Sequence, residues 1–312
     1  MRIAVFGTGG VGGYFGGRLA QAGEDVVFIA RGTQLQALRR HGIRVESIKG
    51  NFSMQPVQAS DNPASVGVVD VVIVAVKAWQ IPEAAAAIRP MLGPSTHVLP
   101  LQNGLEAPTQ LAQVLGADAV LGGTCAIYSL IAEPGVIRHV GLEPAITMGE
   151  MPRGYSARAE PLRQALQRGG VTATISEDIQ VPMWEKFLML RWGVIGAVTR
   201  APAAIIRSQP EVRALVVQAC EEVQAVAQAQ GITMAADIIP RKLAILDSLP
   251  PSSTTSMQRD VLAGCPSELD AQAGALLRLG LQAGITTPLH TFLFHSLLPT
   301  EKRARGEVQF PE

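Results

Sequence analysis

The sequence is poor in cysteine, has no net charge and contains no long apolar run, and each shortage removes a class of protein. Its three cysteines, Cys125, Cys220 and Cys265, are odd in number, far apart and without C-x-x-C spacing. That pattern argues against both a disulfide framework and a zinc site, so reduced, partly buried thiols are expected. Basic and acidic side chains number 26 each, so no overall field draws the chain to nucleic acid or to an anionic membrane. Any anion it binds must be held locally. No stretch approaches the roughly 18 to 20 apolar residues that span a bilayer. The opening MRIAVFGTGG reads as a strand entering a glycine turn rather than a secretion signal, and a cytoplasmic location is expected.

What is present is a globular composition, 47% apolar and 17% charged over 312 residues, a length suited to two domains. The first half alternates short β-branched runs with helical stretches: Ile3 to Phe6, Gly10 to Ala22, Val26 to Ala30, Thr33 to Arg40, Val71 to Val76, Pro82 to Met91 and Val98 to Leu101. Almost wholly apolar strands separated by helices predict an α/β fold with a parallel sheet covered on both faces. Residues Ala119 to Gly149 read as that sheet's further, antiparallel edge. After about Gln180 the texture becomes helical, as in Glu211 to Gln230 and Ser267 to Ala283, with Gly231 and Gly284 as stops. The expected domains are 1–178 and 179–312, with a frayed tail from Glu301 to Glu312.

Gly7-Thr8-Gly9-Gly10-Val11-Gly12 fits G-x-G-x-x-G directly after a strand and before a helix, the context that makes this pattern specific for a dinucleotide site. Gly7 permits the tight turn, Gly9 lets backbone approach a pyrophosphate, Gly12 lets helix and strand lie close, and the helix N-terminus offers N–H groups to phosphates. The second strand ends at Arg31, with no acid placed to bind a ribose 2′-hydroxyl. A guanidinium there suits a 2′-phosphate, so NADP is the expected cofactor. Gly32 and Thr33 are candidates to add a donor and cap the next helix.

Five segments carry a family likeness: GTGGVGG at the start, VKAWQ at 76–80, LQNG at 101–104, WEK at 184–186 and SMQRD…PSELD over 256–270. Together they resemble the ketopantoate reductases (2-dehydropantoate 2-reductases) over nearly the whole chain. The resemblance implies a Rossmann-type NADP-binding domain followed by a mainly α-helical domain like that of 6-phosphogluconate dehydrogenase. It also implies reduction of ketopantoate to pantoate in pantothenate biosynthesis. Carried over position by position, Lys77 resembles the lysine facing the cofactor and Asn103 the asparagine lying between cofactor and substrate. Lys186 resembles the catalytic lysine, Ser256 the substrate-binding serine and Glu268 the active-site glutamate. Chemistry agrees, because ketone reduction needs a proton donor where negative charge develops on oxygen, and a lysine in a partly dry site can serve. Ser256 has a second reading as the cap of a helix beginning at Met257. His290 and His295, on an apolar helical stretch, are expected to be packed or surface histidines.

One departure stands out. Family members typically carry asparagines four and eight residues after the lysine, where this chain has Leu190 and Val194. Helical spacing puts Lys186, Leu190 and Val194 on one face, apolar beyond the lysine. Either Arg191, Thr199 or Ser253 replaces the amides, or the substrate is a less polar 2-keto acid or ketone. A non-catalytic NADP(H)-binding sensor is the alternative from another class, and retention of Lys186, Asn103, Ser256 and Glu268 speaks against it. The partner is expected to be a small keto acid. The oligomeric state stays open, a homodimer being one arrangement.

Overall fold

Alternate residues of the first strand, β1 (Arg2–Phe6), enter two different cores: Ile3 and Val5 join one apolar cluster, Ala4 and Phe6 another. A strand covered on both faces has no polar side, which is why it reads as a continuous apolar run. In the computed structural model, which describes residues 1–311, β1 is the centre of a five-stranded sheet. Helix α1 (Gly10–Gln21) leads to β2 (Asp25–Ile29) and α2 (Gly32–His41), followed by β3 (Ile43–Ser47), β4 (Phe52–Met54) and β5 (Gln58–Ser60). Then come β6 (Val71–Val74), α3 (Ile81–Ile88), β7 (His97–Pro100) and α4 (Ala107–Leu115). The order is β5-β2-β1-β6-β7, parallel throughout. Its winding direction reverses between β1 and β6, the topological switch point at which such sheets bind ligands.

The stretch read as an antiparallel edge of this sheet builds a second sheet instead. Strands β8 (Gly122–Glu133) and β9 (Val136–Gly149) form a long hairpin that turns at Gly135, φ +80°. The other edge of β9 takes β3 and β10 (Thr172–Ile175), both parallel, and β4 pairs with β3. Among the described residues only an isolated bridge between Val98 and Val120 joins β8's approach to β7. The hairpin leaves the first sheet because it covers α1: a Cβ on Gly13 would lie 2.6 Å from Ile137, and one on Gly16 would lie 2.6 Å from Phe28 of β2. Helix α1 is thus clasped between two sheets at glycine distance, and α5 (Glu160–Arg168) completes this unit.

From residue 180 the chain is helical: α6 (Gln180–Met189), α7 (Arg191–Thr199), α8 (Ala203–Ser208), α9 (Pro210–Ala229), α10 (Ile238–Ser248), α11 (Ser256–Leu262), α12 (Ala275–Ala283) and α13 (Pro288–Ala304). A π-helical turn, Asp270–Gly274, precedes α12. Gly231 and Gly284 follow α9 and α12 with φ of +78° and +69°, the left-handed conformation in which a helix stop favours glycine. The chain divides into two compact units, residues 1–102 with 107–180, and residues 103–106 with 181–312. The tail is better held than expected. Glu301 is buried and accepts hydrogen bonds from the Ser267 N–H at 3.0 Å and hydroxyl at 2.5 Å, and α13 continues to Ala304. Only Glu312 of that tail lies outside the described residues. Cys125 and Cys220 are buried and in no disulfide, whereas Cys265 is exposed, so partial burial describes none of the three. Among the described residues no helix is long and apolar enough to cross a membrane.

Candidate active site

Between β1 and α1 the backbone makes the sharp turn that the glycines allow. Gly7 sits at φ +99°, and its N–H donates to the Ile29 carbonyl of β2 at 3.1 Å. A Cβ on Gly12 would lie 2.1 Å from the Gly7 carbonyl oxygen, well inside contact, so only glycine lets α1 start this close to β1. Gly9 differs: a Cβ there would meet nothing within 4 Å, so the space beside its backbone is open. Thr8 is buried and its hydroxyl donates to the Ile29 carbonyl at 3.1 Å, while the Gln34 side chain donates to the Thr8 carbonyl at 3.0 Å. The Thr8 hydroxyl therefore fastens the loop to β2. The first turn of α1, through Val11 and Gly12, leaves N–H groups without helical acceptors. Open space at Gly9 beside those donors fits a pyrophosphate.

Arg31 follows β2 as the residue before α2, its side chain 66% exposed, and pairs with Glu83 at 2.8 Å. Helix α2 begins at Gly32 with no side-chain cap, so Thr33 does not cap it. Lys77 follows β6 and opens a short 3₁₀ turn, with its ammonium 5.7 Å from the Trp79 ring centroid.

In the second unit Asn103 and Glu268, 165 residues apart, come together: the Asn103 amide donates to Glu268 Oε2 at 3.2 Å. The Gln272 amide approaches the same oxygen at 3.5 Å. Glu268 and Gln272 are buried one turn apart. They meet where the helix widens, the Ala275 N–H reaching back five residues to Asp270; such π turns recur at functional sites. Gly104 has φ +106°, and a Cβ there would sit 2.9 Å from the Ala271 carbonyl oxygen, so Gly104 lies directly on the widened helix. Arg278 secures this contact, bridging Glu106 at 2.7 Å and Asp270 at 2.8 Å. Its hydrogen bonds to Glu106, then to Asp270, raise its pKa above the ordinary arginine value. Gln272, Glu106 and Arg278 escaped the sequence reading; the four-residue spacing of Glu268 and Gln272 was the available signal.

Lys186 is half-buried near the end of α6 and makes no hydrogen bond or ion pair among the described residues, whereas its neighbour Glu185 pairs with Lys242 at 3.1 Å. The helix does not run evenly past it. Leu190 has φ −77° and ψ −3° and separates α6 from α7, so Lys186, Leu190 and Val194 do not share one straight face. Leu190 is half-buried, but Val194 is fully buried in the second unit's apolar cluster. Nor does Arg191 replace the missing amides: it is wholly buried, donating to the carbonyls of Phe187 at 2.9 Å and Gln272 at 2.5 Å. Thr199 donates back to Ile195 at 2.9 Å. Ser253 spends its backbone groups on Pro250 and Ala203, and no hydrogen bond of its side chain connects it with Lys186. The cap of α11 is Thr255, whose hydroxyl accepts the Gln258 N–H at 3.2 Å. Ser256 is the first helical residue, not the cap.

Arg191 also meets His290 Nε2 at 3.3 Å, and His290 Nδ1 lies 2.6 Å from Glu222. Burial holds the imidazole down to about 4, so it is neutral at pH 7, placed between a guanidinium and a carboxylate. Burial alone would raise the Glu222 carboxyl, but hydrogen bonds from the His290 ring and from the backbone of His290 and Leu289 hold it low. His290 is thus a packed histidine with a structural partner, and His295 is exposed.

The two units correspond to two family models, "Ketopantoate reductase PanE/ApbA" over residues 3–153 and its C-terminal counterpart over 178–300. The chain belongs to the ketopantoate reductase PanE/ApbA family. It is therefore an oxidoreductase of the class acting on CH–OH groups. A 2-dehydropantoate 2-reductase of Mesorhizobium japonicum is 30% identical, covering 92% of this chain and 94% of the relative. The crystal structure of 2-dehydropantoate 2-reductase from Geobacter metallireducens GS-15 superposes with a TM-score of 0.90 at 31% identity, over 96% of this chain and 99% of that one. A ternary structure of D-mandelate dehydrogenase with NADH and anilino(oxo)acetate shares the fold, with a TM-score of 0.89 at 21% identity over 98% and 99% of the two chains.

Proposed function

We propose that the chain is an NADPH-dependent reductase of a 2-keto acid, ketopantoate being the substrate that its family and its named relatives point to, and that it supplies pantoate for pantothenate biosynthesis. In this reading residues 1–178 hold the dinucleotide and residues 179–312, with Asn103, supply substrate binding and the proton. Gly7, Thr8, Gly9, Gly10, Val11 and Gly12 form the phosphate cradle, Arg31 meets the 2′-phosphate and Lys77 faces the cofactor. NADPH supplies the hydride when bound. Lys186 donates the proton as charge develops on the keto oxygen, and a half-buried lysine whose ammonium has no partner among the described residues is suited to do so. Ser256, whose hydroxyl is not spent as a cap, binds substrate. Asn103 bonds Glu268 and fixes where that carboxylate lies, so that Glu268 can orient the ammonium or accept from a substrate hydroxyl. The observation that carries the reading is this Asn103–Glu268 contact, which joins two of the predicted site residues across 165 positions.

A second substrate reading, a 2-keto acid with a hydrocarbon side chain, is favoured by Leu190, which puts an apolar group one turn beyond Lys186. The test is NADPH oxidation with a panel of 2-keto acids that includes ketopantoate and 2-ketoisovalerate. Turnover with ketopantoate supports the first reading, turnover confined to hydrocarbon keto acids the second. Stoichiometric NADPH binding without turnover on any carbonyl compound would instead identify a sensor.

A further inference from the structure

Arg31 and Glu83 are 52 residues apart in sequence, one leaving β2 and the other opening α3 after β6. Strands β2 and β6 flank β1 on opposite sides, so an ion pair of 2.8 Å between their following segments reaches across the carboxyl end of β1. That end is where open sheets of this order receive dinucleotides. We propose that Glu83 is a specificity-determining residue: a tethered counter-anion that competes with the cofactor's 2′-phosphate for the Arg31 guanidinium. The inference rests on the reading that Arg31 meets that phosphate.

Glu83 also has a purely structural use. It lies in the first turn of α3, where a carboxylate is favoured by the positive end of the helix. That use explains its charge but not its partner, since a carboxylate turned away from Arg31 would serve the helix equally well. The side chains are 66% and 61% exposed, which makes the pair weak, screened by salt and open to displacement by a ligand. A 2′-phosphate, carrying about −1.5 to −2 charges as phosphomonoesters do near neutral pH, must break the pair and then leaves the Glu83 carboxylate beside it. A cofactor without that phosphate does neither. Glu83 therefore lowers affinity for the phosphorylated cofactor alone, and narrows the selectivity that Arg31 creates.

The test is calorimetric titration of the full chain with 2′,5′-ADP and with 5′-AMP, which differ only in the 2′-phosphate. Glu83→Gln keeps the shape and removes the charge. It is expected to tighten 2′,5′-ADP about two- to five-fold at low salt, to leave 5′-AMP unchanged, and to lose most of that gain at high salt. In an Arg31→Ala background the gain should be smaller, because the pair no longer exists to be broken. If Glu83→Gln leaves 2′,5′-ADP unchanged, or shifts both ligands alike, Glu83 has no part in selectivity. Arg31→Ala weakening 2′,5′-ADP alone would in that case still uphold the arginine's own role. If Arg31→Ala leaves the preference between the two ligands untouched, the reading of Arg31 fails and the inference falls with it.

Discussion

Replacing His290 by glutamine should flatten the acid side of the second unit's stability curve. The wild-type imidazole titrates near 6.5 in an unfolded chain and is held down to about 4 in the folded one. Between those values the unfolded chain binds a proton that the native protein refuses, so stability is complete above about pH 6.5 and falls as pH drops towards 4. The gap of about 2.5 pKa units corresponds to about 3 kcal/mol, at a slope approaching 1.4 kcal/mol per pH unit. Glutamine keeps a donor for Glu222 and an acceptor for Arg191 but takes up no proton in this range. Urea unfolding at pH 7, 6, 5 and 4, followed by tryptophan fluorescence in a Trp79→Phe background, reads the relevant unit because the other two tryptophans, Trp184 and Trp192, are both buried in its core. The variant is expected to be less stable than wild type at pH 7, with the difference shrinking by about 3 kcal/mol on the way to pH 4. Parallel curves for the two proteins would show that His290 is not the group refusing the proton.

Lys186→Ala should fold and bind NADPH as the wild type does yet lose about 10² to 10⁴ in kcat; near wild-type turnover on the keto acid would remove Lys186 from the chemistry. Val194→Asn should destabilise the second unit by about 1 to 3 kcal/mol, because it buries an amide in an apolar cluster. Leu190→Asn, at a half-buried position, should be tolerated and should raise kcat/KM for ketopantoate relative to 2-ketoisovalerate. A stable Val194→Asn, or a ratio unmoved by Leu190→Asn, contradicts these placements. Gly12→Ala would bring a methyl to 2.1 Å from the Gly7 oxygen and force α1 off β1, so calorimetry should detect no NADPH binding even if circular dichroism shows a folded chain; normal binding would refute the close-approach argument.

The nucleotide loop was legible because its determinants are local: Gly7 to Gly12 and the strand and helix around them lie within 21 residues. The parallel sheet was legible because strands buried on both faces carry no polar alternation. The second sheet was not, since β3 is short and partly polar and finds its partner in β9 some 92 residues away, as in the pairing of Glu46 with Arg138, while β4 joins only through β3. Helical spacing also misled at Leu190, where a residue with ψ near zero breaks the row that would have joined Lys186 to Val194. Arg191 read as a candidate to replace the missing amides. Its burial depends on His290 and Glu222, which are remote in sequence and unremarkable taken singly. Asn103, Lys186, Ser256 and Glu268 were proposed from family likeness, and the spacing of these residues alone would not have suggested them; of the four, the structure joins Asn103 to Glu268.

Residues 103–106 count with the helical unit, although the chain on both sides of them counts with the sheet unit. No single splice point can therefore exchange one half of this protein for that of a relative. A graft of residues 181–312 would arrive with Arg278 stripped of Glu106, Glu268 stripped of Asn103 and the core missing Leu105. Recombination at residue 180 should succeed only between parents whose tetrapeptides match the incoming π turn, so the segment at 103–106 and the helix at 268–278 are constrained to be inherited as a pair.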